Sequence, residues 1–324
     1  MIVRWGLYEL GGVLGELGIE RPLLVTSPRW SELDLPVAAR FDGVRPHVPA
    51  ASVDAAGAAA SEADGLVALG GGSAIDTAKA VSASAGLPVV SIPTTYSGAE
   101  WTSAFGIRDE ERREKRGGGG ARAEGIVYEP ALTLSLPPGE TGGTAMNALA
   151  HCAEALYVTG RNDEADAEAL AGAARIASAL PAVLVDGADL EARRELLEGA
   201  MHGGAALAGA GLGLAHAMAQ ALGGRLGIPH GAANAVCLPP ALRYNEPAAR
   251  EALGRFATAI GVENAAEGAA TLAGLAGYVR LRDLGVPEDE LGDVAEAASR
   301  RPGAQANPRS ASAEAIAELL RSAW

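Results

Sequence analysis

Up to Pro137-Pro138 the chain alternates short apolar runs with alanine-rich stretches of helical period, and beyond that pair the strand signals stop. Arg21-Pro-Leu-Leu-Val-Thr26, Gly65-Leu-Val-Ala-Leu69 and Leu87-Pro-Val-Val-Ser-Ile92 read as strands, with helices over 52–62 and 74–85 between them. Strand and helix in alternation imply a parallel sheet with crossover helices. After the proline pair, residues 141–158, 163–180, 189–220, 248–260, 265–282, 287–299 and 311–323 read as helices, broken at glycine, proline or asparagine. A chain of 324 residues suits two domains better than one. The expected architecture is an α/β domain over 1–137 followed by an all-helical domain over 138–324.

Composition narrows the function classes. A formal charge of -14 disfavours nucleic acid and anionic membranes as partners. The same charge means that a small anionic substrate needs a locally positive pocket. No run of about twenty apolar residues free of charge occurs, so no membrane span is expected. The start, Met1-Ile-Val-Arg-Trp5, lacks a signal-peptide pattern, and two cysteines, Cys152 and Cys237, fit a reducing cytoplasm.

The chemistry begins at Gly70-Gly71-Gly72-Ser73, which follows a strand and opens a helix. Glycines let backbone approach an oxyanion, and free amides at a helix start attract phosphate. A plain tight turn is the alternative. Asp76 bonds a nearby backbone amide or touches the ligand, and Lys79 reads equally well as a solvated surface residue. Thr94, Thr95 and Ser97 follow the strand that ends at Pro93. Ligands of open α/β sheets bind beyond the carboxyl ends of strands, which makes these hydroxyls phosphate, ribose or nicotinamide contacts, with turn capping as the alternative. The first domain is thus expected to bind a phosphate-bearing ligand. The mixed-charge run 108–116 and the glycines at 117–120 read as a solvated hairpin or a basic lid.

Three histidines fall in a pattern. His216 lies in a small-residue helical run, and His230 follows Pro229 at a turn, fourteen positions later. Asn147 and His151 are four apart on one helix face. Imidazole binds metals and exchanges protons near neutral pH, so these four are the candidate catalytic residues. His47 and His202 fit no motif.

Taken together, Gly70-Gly-Gly-Ser73 with Asp76 and Lys79, Pro93-Thr-Thr95, Asn147-xxx-His151, His216 and His230 resemble the iron-containing (group III) alcohol dehydrogenases. The resemblance implies an N-terminal dinucleotide-binding domain, a helical C-terminal domain, and an active site in the cleft between them. It also implies metal ligands at positions 147, 151, 216 and 230. Asn147 departs from the expected aspartate, and Gln220 stands where a further histidine is common. An amide oxygen is a poorer donor to iron or zinc than a carboxylate, so a metal-free site is expected. If a metal is present, Asn147, His151, His216 and His230 hold it.

Met146-Asn147-Ala148-Leu149-Ala150-His151-Cys-Ala-Glu154-Ala155-Leu156-Tyr157 is similar to the maleylacetate reductase branch. That branch implies reduction of the conjugated double bond of maleylacetate to 3-oxoadipate, in the degradation of aromatic compounds, by a homodimer. His230-Gly231 departs from it toward the alcohol dehydrogenases. NADH is the cofactor implied. No acidic residue stands at Thr26 or Ser27 to repel a 2′-phosphate, so NADPH is also admissible. Arg225 and Arg243 are candidates for substrate carboxylates. Two alternatives stand beside this reading: a metal-dependent alcohol dehydrogenase or aldehyde or ketone reductase, and a non-catalytic nucleotide-binding homologue.

Overall fold

The computed structural model describes residues 1–109 and 114–324. The chain divides into two compact units, Met1–Thr95 with Ala99–Ser135, and Tyr96–Gly98 with Leu136–Trp324. The division falls after Ser135, and the tripeptide 96–98 belongs with the helices. Hydrogen bonds explain that assignment: Tyr96 N donates to Thr144 Oγ1 at 3.4 Å, Arg193 Nη1 donates to the Tyr96 hydroxyl at 3.2 Å, and Asn147 Nδ2 donates to Ser97 O at 3.1 Å.

The first unit is built on a six-stranded sheet. Its strands are β1 (Ile2–Trp5), β2 (Pro22–Val25), β3 (Ala39–Phe41), β4 (Gly65–Gly70), β5 (Val89–Pro93) and β8 (Gly125–Tyr128). They lie in the order β1-β8-β5-β4-β2-β3, with every pairing parallel. Every residue of β2, β4, β5 and β8 is buried. Continuous Val, Leu and Ile runs, without polar alternation, are what a sheet covered on both faces requires. Helices α1 (Leu10–Glu16), α2 (Ala50–Ala59) and α3 (Gly72–Ala85) cover it. Leu10, Val13, Val67 and Val127 lie in one core layer, and Leu23, Leu66, Ile75 and Val81 in another. β1, β3 and β8 are not among the strands read from the sequence.

Strand order sets the ligand-binding end. The chain runs outward from β2 to β3, then reverses through β4, β5 and β8. The switch point therefore lies between β2 and β4, and their carboxyl ends carry Thr26 and Gly70. A two-stranded antiparallel hairpin, β6 (Phe105–Asp109) and β7 (Glu114–Gly118), fits the hairpin reading. The basic-lid expectation depends on residues 110–113, which lie outside the described residues.

No strand occurs among the described residues of the second unit. Its helices are α4 (Pro138–Ala155), α5 (Asp163–Val185), α6 (Leu190–Ala210), α7 (Leu214–Leu226), α8 (His230–Ala259), α9 (Ala265–Leu275), α10 (Leu291–Ser299), α11 (Pro302–Gln305) and α12 (Ala313–Ser322). Asn162 and Asp189 cap α5 and α6 by accepting the amides of Ala165 and Ala192. Among the described residues, α5 is the one helix long and apolar enough by itself to cross a membrane. It lies with Ala169, Ala173, Ile176 and Leu180 fully or nearly fully buried.

Two helix expectations are corrected. The stretch 189–220 is not one helix: α6 ends at Gly211, whose φ is 92°, and α7 leaves at a bend of 100°. His230 is not in a turn but is the first residue of α8, directly after Pro229. Proline fixes φ near the value that starts a helix. α8 then runs on through Pro239, Pro240 and Pro247, with a kink at Ala249.

Candidate active site

In the first unit, Gly71 is the N-cap of α3 and supplies no side-chain cap. Backbone bonding within the helix starts at the Ala74 amide, which donates to the Gly71 carbonyl. The amides of Gly72 and Ser73 precede it, as an anion site at a helix start requires. Gly70 has a φ of 147°. A Cβ on Gly71 would stand 2.8 Å from Thr95 Cγ2. Thr94 N donates to Gly70 O at 3.0 Å, and Thr26 Oγ1 donates to Leu69 O at 2.8 Å. The glycine loop and the residues after β5 thus meet beside the switch point. Gly71→Ala is expected to lower Tm and raise KM for the nicotinamide cofactor, because overpacking costs about 1–3 kcal/mol. Thermal melts and NADH titration check this.

Asp76 takes the backbone-amide alternative, and Lys79 is not the solvated residue that was one of its two readings. Asp76 is spent inside the protein: Oδ1 pairs with Lys79 Nζ at 3.1 Å and Oδ2 accepts the Gly106 amide at 3.2 Å. Lys79 is fully buried rather than solvated. Its ammonium donates to the carbonyls of Ala99 (2.8 Å) and Ala104, tying down the segment that follows β5. Arg29 donates to the Ser135 carbonyl. Ser97 lies in the second unit, and its hydroxyl has no partner among the described residues.

In the second unit, the histidines come together. Asn147, His151 and Glu154 lie on one face of α4, at spacings of four and three. The His151 and His216 rings stack at 4.7 Å between centroids, and His230 lies 5.6 Å from His216. A close helix approach makes this possible: a Cβ on Gly231 of α8 would stand 2.5 Å from the Gly143 carbonyl carbon of α4. His151 and His216 are buried, whereas His230 is exposed.

The hydrogen bonds fix where the protons sit. Ser97 O can only accept, and Asn147 Nδ2 lies 3.1 Å from it. The other Asn147 N–H therefore donates toward His151 Nε2, at 3.4 Å. Asn147 Oδ1 accepts from Asn234 Nδ2 at 2.7 Å and faces His216 Nε2 at 3.3 Å. His216 Nε2 must then carry hydrogen. Asn234 Nδ2 donates its second hydrogen to His230 Nε2, at 3.1 Å. So His151 and His230 present Nε2 as acceptors, while His216 alone presents Nε2–H. His216 Nδ1 lies 2.6 Å from Glu154 Oε2, with one proton on that line.

Burial, and then the neighbouring His216 and His230, hold His151 well below the usual histidine range. It stays neutral in the folded state. In acid the unfolded chain binds a proton that folded His151 refuses, so stability is present above pH about 6.5 and falls below it. Melting curves from pH 7.5 to 5 are expected to show this loss reduced in His151→Gln.

Asn234 and Glu154 were not singled out from the sequence. Their signal is helical spacing: Asn234 is four after His230, and Glu154 is three after His151. The arginines proposed for substrate carboxylates lie elsewhere. Arg225 pairs with Glu290 at 2.9 Å and Asp293 at 2.7 Å, and Arg243 is simply exposed. His202 pairs with Glu168 at 2.6 Å.

Two family models match the chain: iron-containing alcohol dehydrogenase over residues 4–123, and the C-terminal domain of the same family over 141–324. The chain belongs to the iron-containing alcohol dehydrogenase family. Within it, the chain sits with the maleylacetate reductases and is an oxidoreductase. It is 37% identical over 333 residues to maleylacetate reductase of Pseudomonas knackmussii, covering 98% of this chain and 93% of that one. The crystal structure of maleylacetate reductase from Agrobacterium tumefaciens superposes with a TM-score of 0.91, at 32% identity, covering 100% and 95% of the two chains. Sulfoacetaldehyde reductase from Bifidobacterium kashiwanohense, solved with NAD+, shares the fold at 23% identity and a TM-score of 0.90, covering 100% and 96%.

This family implies iron at positions 147, 151, 216 and 230, but the donor set in this member does not fit it. The one oxygen among the four is neutral, and both its acceptor directions are taken by Asn234 and His216. The Nε2 atoms of His151 and His230 already face amide N–H groups.

Proposed function

We propose that this enzyme reduces maleylacetate to 3-oxoadipate with NADH and without a metal, in the degradation of aromatic compounds. The observation that carries the reading is the single Nε2–H of His216, set among His151, His230 and Asn147. The maleylacetate reductases at 37% identity support the substrate. The glycine loop before α3 supports a dinucleotide phosphate, as does the NAD+ of the Bifidobacterium enzyme.

The chemistry follows from charge. Hydride adds to the electron-poor alkene carbon, the π electrons move toward the conjugated carbonyl, and an enolate forms. Its growing negative charge needs a donor, and the His216 Nε2–H is that donor. Transfer of the proton from Nε2 to the enolate carbon completes 3-oxoadipate and leaves His216 with Nδ1–H bonded to Glu154.

NADH is the preferred cofactor, and NADPH is accepted because Thr26 and Ser27 carry no charge to repel a 2′-phosphate. Buried free thiols at Cys152 and Cys237 suit a reducing cytoplasm. A homodimer is the assembly proposed, with light scattering as its check.

Loss of NADH absorbance on addition of maleylacetate, with 3-oxoadipate identified by NMR, tests the reading. NADH binding without oxidation of any enone, aldehyde or ketone would point to a non-catalytic homologue. Prolonged dialysis against a chelator is expected to leave kcat unchanged, with substoichiometric iron and zinc by elemental analysis. A chelator-sensitive activity restored by either metal would overturn the metal-free mechanism.

A further inference from the structure

Glu154 is fully buried on α4, and its two oxygens take four contacts around the start of α7. Oε1 accepts the amides of Ala215 at 2.7 Å and His216 at 3.4 Å. Oε2 accepts the Gly213 amide at 2.8 Å and faces His216 Nδ1 at 2.6 Å. The N-cap of α7 is Gly213, which has no side chain to cap with. A Cβ there would stand 2.9 Å from Glu154 Oε1, so only glycine lets the carboxylate reach these amides. One side chain from α4 thus caps a second helix and holds that helix's own histidine.

We propose that Glu154 is a positioning residue for the reduction, fixing the His216 ring and keeping a proton on Nδ1 so that Nε2 can give one up. The proposal rests on the reading of His216 as proton donor. The proton balance shows why a carboxylate is needed. When Nε2–H goes to the enolate carbon, the ring keeps Nδ1–H and is a neutral imidazole bonded to an anionic oxygen. With glutamine at 154, the side-chain amide donates to Nδ1, and the ring starts as the neutral Nε2–H form. Giving up that proton would leave an imidazolate, which is far too basic to form at neutral pH. The glutamine oxygen still accepts amides at the start of α7, so the helix keeps a cap.

Glu154→Gln is therefore expected to lower kcat about 100-fold, while KM for NADH stays within about twofold. In a His216→Gln background, Glu154→Gln is expected to lower kcat no further. A cap with no role in catalysis would give additive effects instead. Glu154→Gln activity close to wild type, beside a crippled His216→Gln, would overturn this inference and leave the proton-donor reading standing. His216→Gln activity close to wild type would overturn the proton-donor reading itself. Should Glu154→Gln fail to fold, NMR of the histidine-15N-labelled wild-type enzyme decides. A far-downfield ring N–H is expected, retained in His151→Gln and His230→Gln and lost in His216→Gln, and its absence from the wild type would overturn the inference.

Discussion

His216→Gln is expected to lower kcat for maleylacetate reduction by about 10²–10⁴-fold, the range of a positioned general acid. Glutamine is close to histidine in reach, and its amide N–H can still donate to Asn147 Oδ1, which lies 3.3 Å from His216 Nε2. What it cannot do is release a proton. The loss should therefore appear in the chemical step, seen as slow single-turnover oxidation of bound NADH. NADH affinity should hold, because the glycine loop and α3 belong to the first unit and His216 to the second. His230→Gln is expected to do much less, about tenfold, since His230 is an exposed acceptor at the edge of the network. Retention of His216→Gln activity within about tenfold of wild type would sink the assignment of the acid.

Much of this site was legible because helical spacing is legible. Asn147 and His151 are four apart, and α4 does place them together. The sheet was legible where strands are long and wholly apolar, as in β4 and β5. The gaps have physical causes. The break between α6 and α7 lies inside a run of Ala, Gly and Leu, where nothing but a positive φ at Gly211 marks it. Three prolines in α8 argue against a helix by propensity, yet packing carries the helix through them. Once His230 is taken for a turn residue, Asn234 is no longer four along the same helix and drops out of view. For Lys79 the solvated alternative stayed open because its partners at Ala99 and Ala104 lie 20 and 25 positions away. Burial that depends on such distant carbonyls leaves no local pattern.

Asn147→Asp is expected to convert the cluster into a metal site at the expense of the metal-free enzyme. The substitution changes one amide nitrogen into a carboxylate oxygen, and the consequences run through the network. Ser97 O loses its donor and faces another acceptor across 3.1 Å. His151 Nε2 loses the N–H it accepted and must take a proton or a cation instead. Leaving buried polar atoms unsatisfied costs about 1–3 kcal/mol each, so the metal-free variant should melt at a lower temperature than the wild type. Divalent zinc answers both demands: the carboxylate supplies an anionic oxygen, and the freed His151 Nε2 supplies a nitrogen. Addition of zinc should then raise the Tm of Asn147→Asp and leave that of the wild type unmoved. Reduction of maleylacetate without added metal should fall by at least about tenfold, since the new charge draws the His216 proton toward itself. Calorimetric titration with zinc checks the first part and the NADH assay the second. A variant that neither binds zinc nor loses activity would mean that the amide at 147 is not what separates this site from a metal centre.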